Sequence, residues 1–194
     1  DGQTRNRLSV SFVEAWAKQD AGSALAWCEE NLSGSNFTRA VGGVLKGAAE
    51  KDIAGAAALV GAMKPSHARA EAAAAVADKW FPRLSSNTIV KPETMAWLAS
   101  LDAESVKRVL DRAQWGWSTS DPKSMAAFLA GSNSEQIPAS AYSILAREMA
   151  RKNPPEALEW ASRLPESRSL DAGAEAFAEW RISQSDTAMK WLND

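Results

Sequence analysis

One pattern of residues recurs along the chain: an acidic or amide residue is followed, seven positions later, by a large apolar side chain. We call the first residue of this pattern the anchor. Successive anchors are 31 or 32 residues apart, except for one interval of 38. A period of this length is typical of helical hairpins that stack on one another, so the repeat limits the fold more than any other feature. The anchor positions are Asp20, Asp52, Val90, Asp121, Asn153 and Gln184, of which Val90 alone breaks the residue type.

Each repeat unit contains two helical patterns, one before and one after its anchor. In the first unit, Leu8, Phe12 and Trp16 lie twelve, eight and four residues before the anchor, which places them on one face of a helix. After the anchor, apolar residues recur at the fourth, fifth and eighth positions, which is again helical spacing. We therefore predict an all-α fold: a right-handed α-solenoid of about six helical hairpins, or about twelve helices, with a period of 31–32 residues.

The anchor has a structural role that explains its chemistry. An Asp or Asn before a helix accepts hydrogen bonds from backbone N–H groups that have no partner within the first turn. Pro122 and Pro154 directly follow two of the anchors. Proline is favoured at the first helical position because its missing N–H costs nothing there. We therefore interpret the repeated acids as helix N-caps rather than as a carboxylate site.

The repeats extend over nearly the whole chain, which we interpret as a single α-helical repeat domain covering residues 1–194. The chain starts with Asp1 rather than Met, and its sixth unit keeps Trp191 and Leu192 where a terminal unit normally carries a polar face. These features indicate a fragment of a longer repeat protein. The units span roughly residues 5–35, 36–66, 67–104, 105–136, 137–167 and 168–194.

In architecture, the repeat resembles the solenoids of the tetratricopeptide (TPR) and HEAT types. TPR units have a longer period and a Gly-Tyr signature in their first helix, and this sequence has neither. It more closely resembles uncharacterised bacterial proteins built from units of the type W-A-x-x-D-P-x-x-A-x-x-W, and it departs from them around residues 81–91. The resemblance implies a fold but no activity. The matching residues are Trp16, Ala17, Asp20, Ala24 and Trp27, then Trp117, Asp121, Pro122 and Phe128, then Asn153, Pro154, Ala157 and Trp160.

Charge and composition exclude several classes of function. The net charge is -2, whereas proteins that bind nucleic acids usually carry a basic excess, so we expect no nucleic-acid partner. No apolar run is long enough to span a membrane. The single cysteine, Cys28, excludes an intrachain disulfide and leaves the cellular compartment open.

The residue types that usually catalyse reactions or bind metals are scarce and scattered. His67 is the only histidine, and we predict that it lies on a surface turn between two units. Cys28 falls at an apolar position of the second helical pattern, which predicts a small core residue. No phosphate-binding loop, dinucleotide fingerprint or nucleophile motif is present. We therefore predict no catalytic residue, no cofactor and no metal site.

Three sets of residues are predicted to have structural roles. Tryptophans at the two ring positions, together with Trp80, are predicted to be core rings. Gly42, Gly43 and Gly47 are predicted to let helices approach closely or to receive a neighbouring ring. Arginines near the thirteenth position before the anchor are predicted to form salt bridges between units or hydrogen bonds to the last carbonyls of the preceding helix. The tryptophans are Trp16, Trp117 and Trp180 at the first ring position and Trp27, Trp97, Trp160 and Trp191 at the second, and the arginines are Arg7, Arg39, Arg69, Arg108 and Arg168.

Two departures from the repeat are the candidate partner-binding sites. Trp115 lies two residues before a core ring, off the predicted core face, and tryptophan is enriched in binding hot spots. Partial burial against a neighbouring loop is the alternative interpretation. An insertion of about six residues around 81–91 is the second departure, because solenoid insertions often form loops on a binding face. A tolerated surface loop is the alternative there. The candidate residues of the insertion are Phe81, Arg83, Ile89 and Lys91.

These patterns favour a non-enzymatic helical-repeat scaffold or interaction module that binds a protein or peptide. The alternatives are a non-catalytic helical domain of a larger, cell-wall-type enzyme, and a solenoid that binds nucleic acid or glycan. A scaffold predicts an apolar or charged groove without convergent titratable groups. An enzyme predicts a deep pocket with coupled acids or a histidine, and nucleic-acid binding predicts a continuous basic stripe.

Overall fold

The computed structural model describes residues 2–81, 90–133 and 135–193, and the burial of side chains from Ser9 onwards. Within these ranges the chain forms twelve α-helices and no β-strand, which confirms the predicted fold class and helix number. Odd-numbered helices precede the anchors and are called first helices here; even-numbered helices follow the anchors and are called second helices. The helices are α1 (Gly2–Ala17), α2 (Ala21–Asn31), α3 (Gly34–Lys51), α4 (Ile53–Ala62), α5 (His67–Trp80), α6 (Pro92–Ala99), α7 (Ala103–Ser120), α8 (Pro122–Gly131), α9 (Ala139–Lys152), α10 (Pro154–Ser162), α11 (Glu166–Ser183) and α12 (Ser185–Asn193).

The chain divides into two compact units. Unit 1 consists of residues 1–82 and 91–113, and unit 2 consists of residues 83–90 and 114–194. Helix α7 contributes its residues up to Ala113 to unit 1 and the remainder to unit 2. The single repeat domain and the right-handed solenoid stay predictions. No helix in the described part of the chain is long and apolar enough to cross a membrane.

Four of the six anchors are helix N-caps, as the sequence predicts. In four repeat units the side-chain oxygen of the anchor accepts a hydrogen bond from the backbone N–H three residues later, at 2.9 to 3.5 Å. This bond satisfies one of the N–H groups that the first helical turn leaves without a partner. The capping pairs are Asp20 with Ser23, Asp52 with Gly55, Asp121 with Ser124, and Asn153 with Glu156.

The second helix of the third repeat unit, α6, starts one residue later than the sequence predicts. The predicted anchor was Val90, but α6 begins at Pro92 and Lys91 occupies the capping position without a side-chain hydrogen bond. The side chain of Val90 has no hydrogen-bond acceptor with which to cap a helix. Pro92, in contrast, has the backbone φ angle that a first helical residue needs. The N–H of Val90 instead donates to Oδ2 of Asp121 at 3.1 Å, within unit 2.

In unit 1 the first helices pack on one another in chain order. Helix α1 packs on α3 and α3 packs on α5. Helix α2 also packs on α3, and α4 packs on α5. Gly47 allows α1 and α3 to pack closely. A Cβ at this position would overlap the backbone carbonyl oxygen of Glu14. This geometry confirms that small residues in α3 allow close helix packing. The core around it is aliphatic and includes Val13, Val41, Val44, Leu45 and Val60.

Unit 2 repeats this arrangement with α9 packed on α11, α8 on α9 and α10 on α11. Its largest fully buried side chain is Trp117, whose indole N–H donates to Oγ of Ser124 at 2.7 Å. The ring centroids of Trp117 and Phe128 lie 5.3 Å apart. The ring before the anchor and the ring after it therefore contact each other. Asp121, which lies between them in the sequence, caps α8.

Most of the repeated tryptophans lie in the core or at its edge. Trp117 and Trp180 are buried, and Trp97 links two hairpins of unit 1 by donating its indole N–H to the carbonyl of Ala57 at 3.1 Å. Trp191 corrects the prediction, because half of it is exposed. Its ring contacts Trp180 and Phe177 on one side, but no later helix of the described chain covers the other side. Trp16, Trp27, Trp80, Trp97 and Trp160 are partly buried.

The predicted arginine contacts are present for Arg69 and Arg108, whereas Arg168 bonds a carbonyl in the loop before α9 and Arg39 forms no ion pair among the described residues. Arg69 is buried; its Nε donates to the carbonyl of Val60 near the end of α4 at 3.1 Å, and its Nη1 lies 2.8 Å from Oδ2 of Asp102. Arg108 pairs with Glu71 at 2.7 Å, and Arg168 donates to the carbonyl of Ile137 at 3.3 Å. The side chain of Arg7 lies outside the described residues.

Cys28 is fully buried, which confirms its predicted place in the core. Burial, together with the negative charge of Glu29, raises the pKa of its thiol to about 11. The thiol therefore stays protonated at neutral pH, in the form that is neither a nucleophile nor a metal ligand.

Candidate binding groove

Unit 1 contains a groove of about 860 Å³ between its first helices. Helices α1, α3, α5 and the part of α7 that belongs to unit 1 all contribute lining residues. Its volume lies within the range of about 300–1,000 Å³ that is usual for ligand sites. We call this feature the groove.

The repeat places the groove residues on the side of each first helix that turns away from the buried stripe. Arg39 and Lys46 of α3 lie thirteen and six residues before their anchor, off the stripe that lies twelve, eight and four residues before it. Gly42 and Gly43 lie between them and carry no side chain. An added Cβ on Gly42 would come within 3.1 Å of Cγ of Glu71, so the glycine lets the side chain of Glu71 pack closely on α3.

Ion pairs between successive first helices hold most of the charged side chains of the groove. Lys46 of α3 lies 2.8 Å from Oε1 of Glu14 on α1, and this hydrogen bond and charge raise the pKa of the lysine. Glu71 of α5 binds two arginines of α7, Arg108 at 2.7 Å and Arg112 at 3.0 Å. Both carboxylates are thus engaged by cations, which fits a recognition surface better than acid–base chemistry.

Arg39 is different from these cations. Its side chain is exposed, and it forms no ion pair among the residues that the structure describes. The described groove lining contains the four cations Arg39, Lys46, Arg108 and Arg112 but only two carboxylates, Glu14 and Glu71. Arg112 also pairs with Asp78 at 3.1 Å, so among the described residues Arg39 is the lining cation that is left without an ion pair.

His67 lies at the edge of the groove, at the first position of α5 rather than on a turn before it. It is exposed as predicted, and its Nδ1 lies 3.1 Å from Oε1 of Glu104, which is also exposed. Elsewhere in the described chain, no group of three or more His, Cys, Asp or Glu side chains is placed to hold a metal ion. The groove therefore offers ion pairing and hydrogen bonding as its chemistry.

The candidate site residues predicted from the sequence do not line the groove. Trp115 is 47% exposed, and Lys91 is exposed directly before α6. Phe81 corrects its prediction: it is 2% exposed at the end of α5 and leaves no surface for a partner, because the apolar stripe of that helix continues into it. Arg83 and Ile89 lie outside the described residues.

Replacing Trp115 with alanine is expected to lower the free energy of unfolding by no more than about 1 kcal/mol, because about half of the ring already contacts solvent. Urea denaturation followed by circular dichroism measures this change. A loss of several kcal/mol would instead show that the ring contributes mainly to packing, as the alternative of burial against a neighbouring loop implies.

The groove itself was missed by sequence reasoning, although a signal for it exists. Lys46 follows Glu14 by 32 residues, one repeat period, so opposite charges occupy the same position in neighbouring units. Such alternation predicts ion pairs between adjacent first helices. It does not reveal which charge is left without a partner, because that depends on side-chain reach.

No family model, no curated protein and no solved structure matches this chain. The resemblance to bacterial W-A-x-x-D-P-x-x-A-x-x-W repeats therefore stays a prediction.

Proposed function

We propose that the chain is a non-enzymatic helical-repeat module that binds an acidic peptide segment of a partner protein in the groove. The observation that supports this proposal is the exposed guanidinium of Arg39, which has no ion-pair partner in the described structure and stands in a groove with a cationic excess. Arginine binds carboxylates through two parallel hydrogen bonds, which gives geometric selectivity as well as affinity.

The shape of the groove suits a peptide. It extends across four first helices. Val10, Phe37 and Ala75 add apolar lining. An extended segment with acidic side chains can therefore combine ion pairs with apolar contacts along its length.

A nucleic acid fits the groove less well. Every nucleotide carries a phosphate, so a strand in the groove would have to place phosphates beside Glu14 and Glu71, whereas a peptide can carry its acidic side chains only where they face the arginines. The other alternative, a helical domain of a larger cell-wall-type enzyme, has no observation in its favour. Trp115 remains a second candidate contact residue. It lies six residues before its anchor, the position that Glu14 and Lys46 hold in the first two repeat units.

The Arg39→Glu substitution is expected to weaken binding of an acidic peptide by about tenfold or more, because a close charge pair across an interface is replaced by repulsion. The measurement is a fluorescence anisotropy titration with a labelled oligoglutamate peptide. Added NaCl should weaken the binding of the parent protein in the same assay, since part of the attraction is screened.

The matched control is Lys123→Glu, which makes the same change in net charge at an exposed residue of α8 outside the groove. It should bind oligoglutamate as the parent does. Equal weakening by both variants would show that only net charge matters and would refute the groove. An oligolysine peptide of equal length should not bind. A single-stranded oligonucleotide that binds more tightly than oligoglutamate, with the same dependence on Arg39, would move the groove to the nucleic-acid alternative.

A further inference from the structure

The imidazole ring of His67 is oriented at the edge of the groove by one hydrogen bond. Its Nδ1 lies 3.1 Å from Oε1 of Glu104 on α7. An ionised carboxylate only accepts hydrogen bonds, so Nδ1 carries the proton of this pair. The other ring nitrogen, Nε2, forms no hydrogen bond among the described residues, and the side chain is 70% exposed. The ring therefore keeps one nitrogen available to a ligand of the groove.

Helices α3 and α5 run side by side in the same direction and in a fixed register. Glu50 of α3 pairs with Lys79 of α5, which lies 29 residues later in the sequence. Gly42 of α3 faces Glu71 of α5, and this pair has the same separation, since 71 − 42 is 29. Two contacts with equal separations, about two helical turns apart, require parallel helices.

This register places His67 beside Arg39. One helical turn before Gly42, the separation of 29 residues sets Thr38 of α3 opposite His67 of α5. Arg39 directly follows Thr38, and all three residues line the groove. The free ring nitrogen and the guanidinium without an ion pair therefore belong to the same end of the groove.

Most of the charges around His67 are already paired. Glu71, one turn further along α5, binds Arg108 and Arg112 of α7. Asp102, before α7, binds Arg69. Helix α4 also packs on α5 but carries no charged residue. Three exposed charges remain that bind no charge other than His67 among the described residues: Arg39 on α3, Lys64 before α5, and Glu104 on α7.

These three charges set the response of the ring to an anion. Arg39 and Lys64 oppose a positive charge on His67, as does the N-terminus of α5, whereas Glu104 favours it. A carboxylate bound at Arg39 would neutralise that guanidinium and join Glu104 in favouring the protonated ring. Binding of an acidic ligand and protonation of His67 therefore assist each other.

We propose that His67 is a second contact residue for the acidic segment that Arg39 binds, and that the segment binds the protonated ring. This inference rests on the proposed function of the groove. The protonated ring donates its Nε2–H to a carboxylate, whereas the neutral ring turns a lone pair towards it. Each binding event at a neutral ring thus takes up a proton from solution. Histidine changes its charge near neutral pH, and His67 is the only histidine of the chain, so the groove binds acidic segments more tightly as the pH falls through this range.

Fluorescence anisotropy titrations with labelled oligoglutamate at about pH 7.5 and about pH 6 test this proposal. The parent should bind about threefold more tightly at the lower pH, because a partly exposed charge pair adds a modest amount of affinity. The His67→Gln variant contains no histidine and gives the pH dependence that belongs to the peptide alone. The His67→Lys variant carries a permanent charge, so at the higher pH it should bind more tightly than the parent, and its pH dependence should equal that of His67→Gln.

Ala127→Lys is the matched control for the added charge. It places a lysine at an exposed residue of α8 outside the groove, so it should keep the affinity and the pH dependence of the parent. Circular dichroism should show an unchanged fold in every variant, since each substituted side chain is exposed.

The outcomes separate a failure of this inference from a failure of the proposed function. Equal pH dependence in the parent and His67→Gln would overturn the contact with His67, as would a His67→Lys variant that binds no more tightly than His67→Gln at the higher pH. Binding that still depends on Arg39 would then leave the proposed function in place. If oligoglutamate fails to bind the parent at either pH, or binds Arg39→Glu equally well, the proposed function fails and the role of His67 fails with it.

Discussion

Replacing Gly47 with alanine is expected to lower the free energy of unfolding by about 3 kcal/mol. The added methyl group would overlap the carbonyl oxygen of Glu14 and lie 3.3 Å from its carbonyl carbon and 3.5 Å from Cβ of Ala17. A flexible side chain could move aside, but a backbone carbonyl within helix α1 cannot move unless the helix moves with it. The two helices must therefore separate and lose packing along their length. Urea denaturation followed by circular dichroism measures the loss.

Gly61→Ala is the matched control. Gly61 also lies within a helix, α4, but an added Cβ there has no atom within 4 Å. Alanine is the better helix former, so this variant should gain up to about 1 kcal/mol of stability. If Gly47→Ala were as stable as Gly61→Ala, the close approach of α1 and α3 would be wrong.

Replacing Asp102 with alanine is expected to cost about 3 kcal/mol, because it leaves the buried guanidinium of Arg69 without its carboxylate partner. The substitution also removes the acceptor for the backbone N–H of Ser105, at 3.0 Å, in the first turn of α7. Arg69 cannot turn out to water without leaving the carbonyl of Val60. One carboxylate therefore supports three elements of unit 1: the end of α4, the start of α5 and the start of α7.

Asp20→Ala is the control for the capping part of this effect. Asp20 accepts hydrogen bonds from the N–H and hydroxyl of Ser23, as Asp102 does from Ser105, but no arginine of the described residues pairs with it. Its loss should be markedly smaller. A double-mutant cycle with Arg69→Ala isolates the ion pair itself. Equal losses in the two aspartate variants would show that the ion pair between Asp102 and Arg69 contributes nothing to stability.

The same carboxylate makes unit 1 sensitive to acid. Burial acts to raise the pKa of Asp102, but the hydrogen bonds from Ser105 and the charge of Arg69 outweigh it and hold the pKa below its ordinary value. A group with a lowered folded pKa contributes its stability above the unfolded pKa of about 3.9 and loses it as the pH falls through the folded pKa. The parent and the Asp102→Ala variant should therefore converge in stability at strongly acidic pH.

Much of the fold follows from the spacing of residues in the sequence. Asp20 and Asp121 cap helices because an acid at a helix start has a single, local function, and local hydrogen bonds are readable from spacing alone. The prediction was off by one residue at Val90, where the insertion removes the spacing on which the alignment depends. It was wrong for Trp191, because a repeat position predicts burial only when a following hairpin is present to supply it.

The candidate site could not be read in the same way. Trp115 stood out as an exception to the repeat, and its exposure agrees with that. The groove, in contrast, is formed by residues that obey the repeat, such as Lys46 and Arg108. Their grouping depends on how four first helices lie side by side, and the missing partner of Arg39 depends on which neighbouring side chains reach it. Both are properties of tertiary packing.

The neighbour-to-neighbour packing of the helices has a consequence for how the chain reaches its structure. The helix pairs with the most extensive contact, such as α3 with α5 and α9 with α11, are separated by only one helix along the chain. Closing loops of this length costs little conformational entropy, so each unit can begin to order at any hairpin and then extend outward. A sequence change in one hairpin then alters mainly the packing of the hairpins beside it. Natural selection can alter the recognition surface one helix at a time while the remaining hairpins keep their own internal supports.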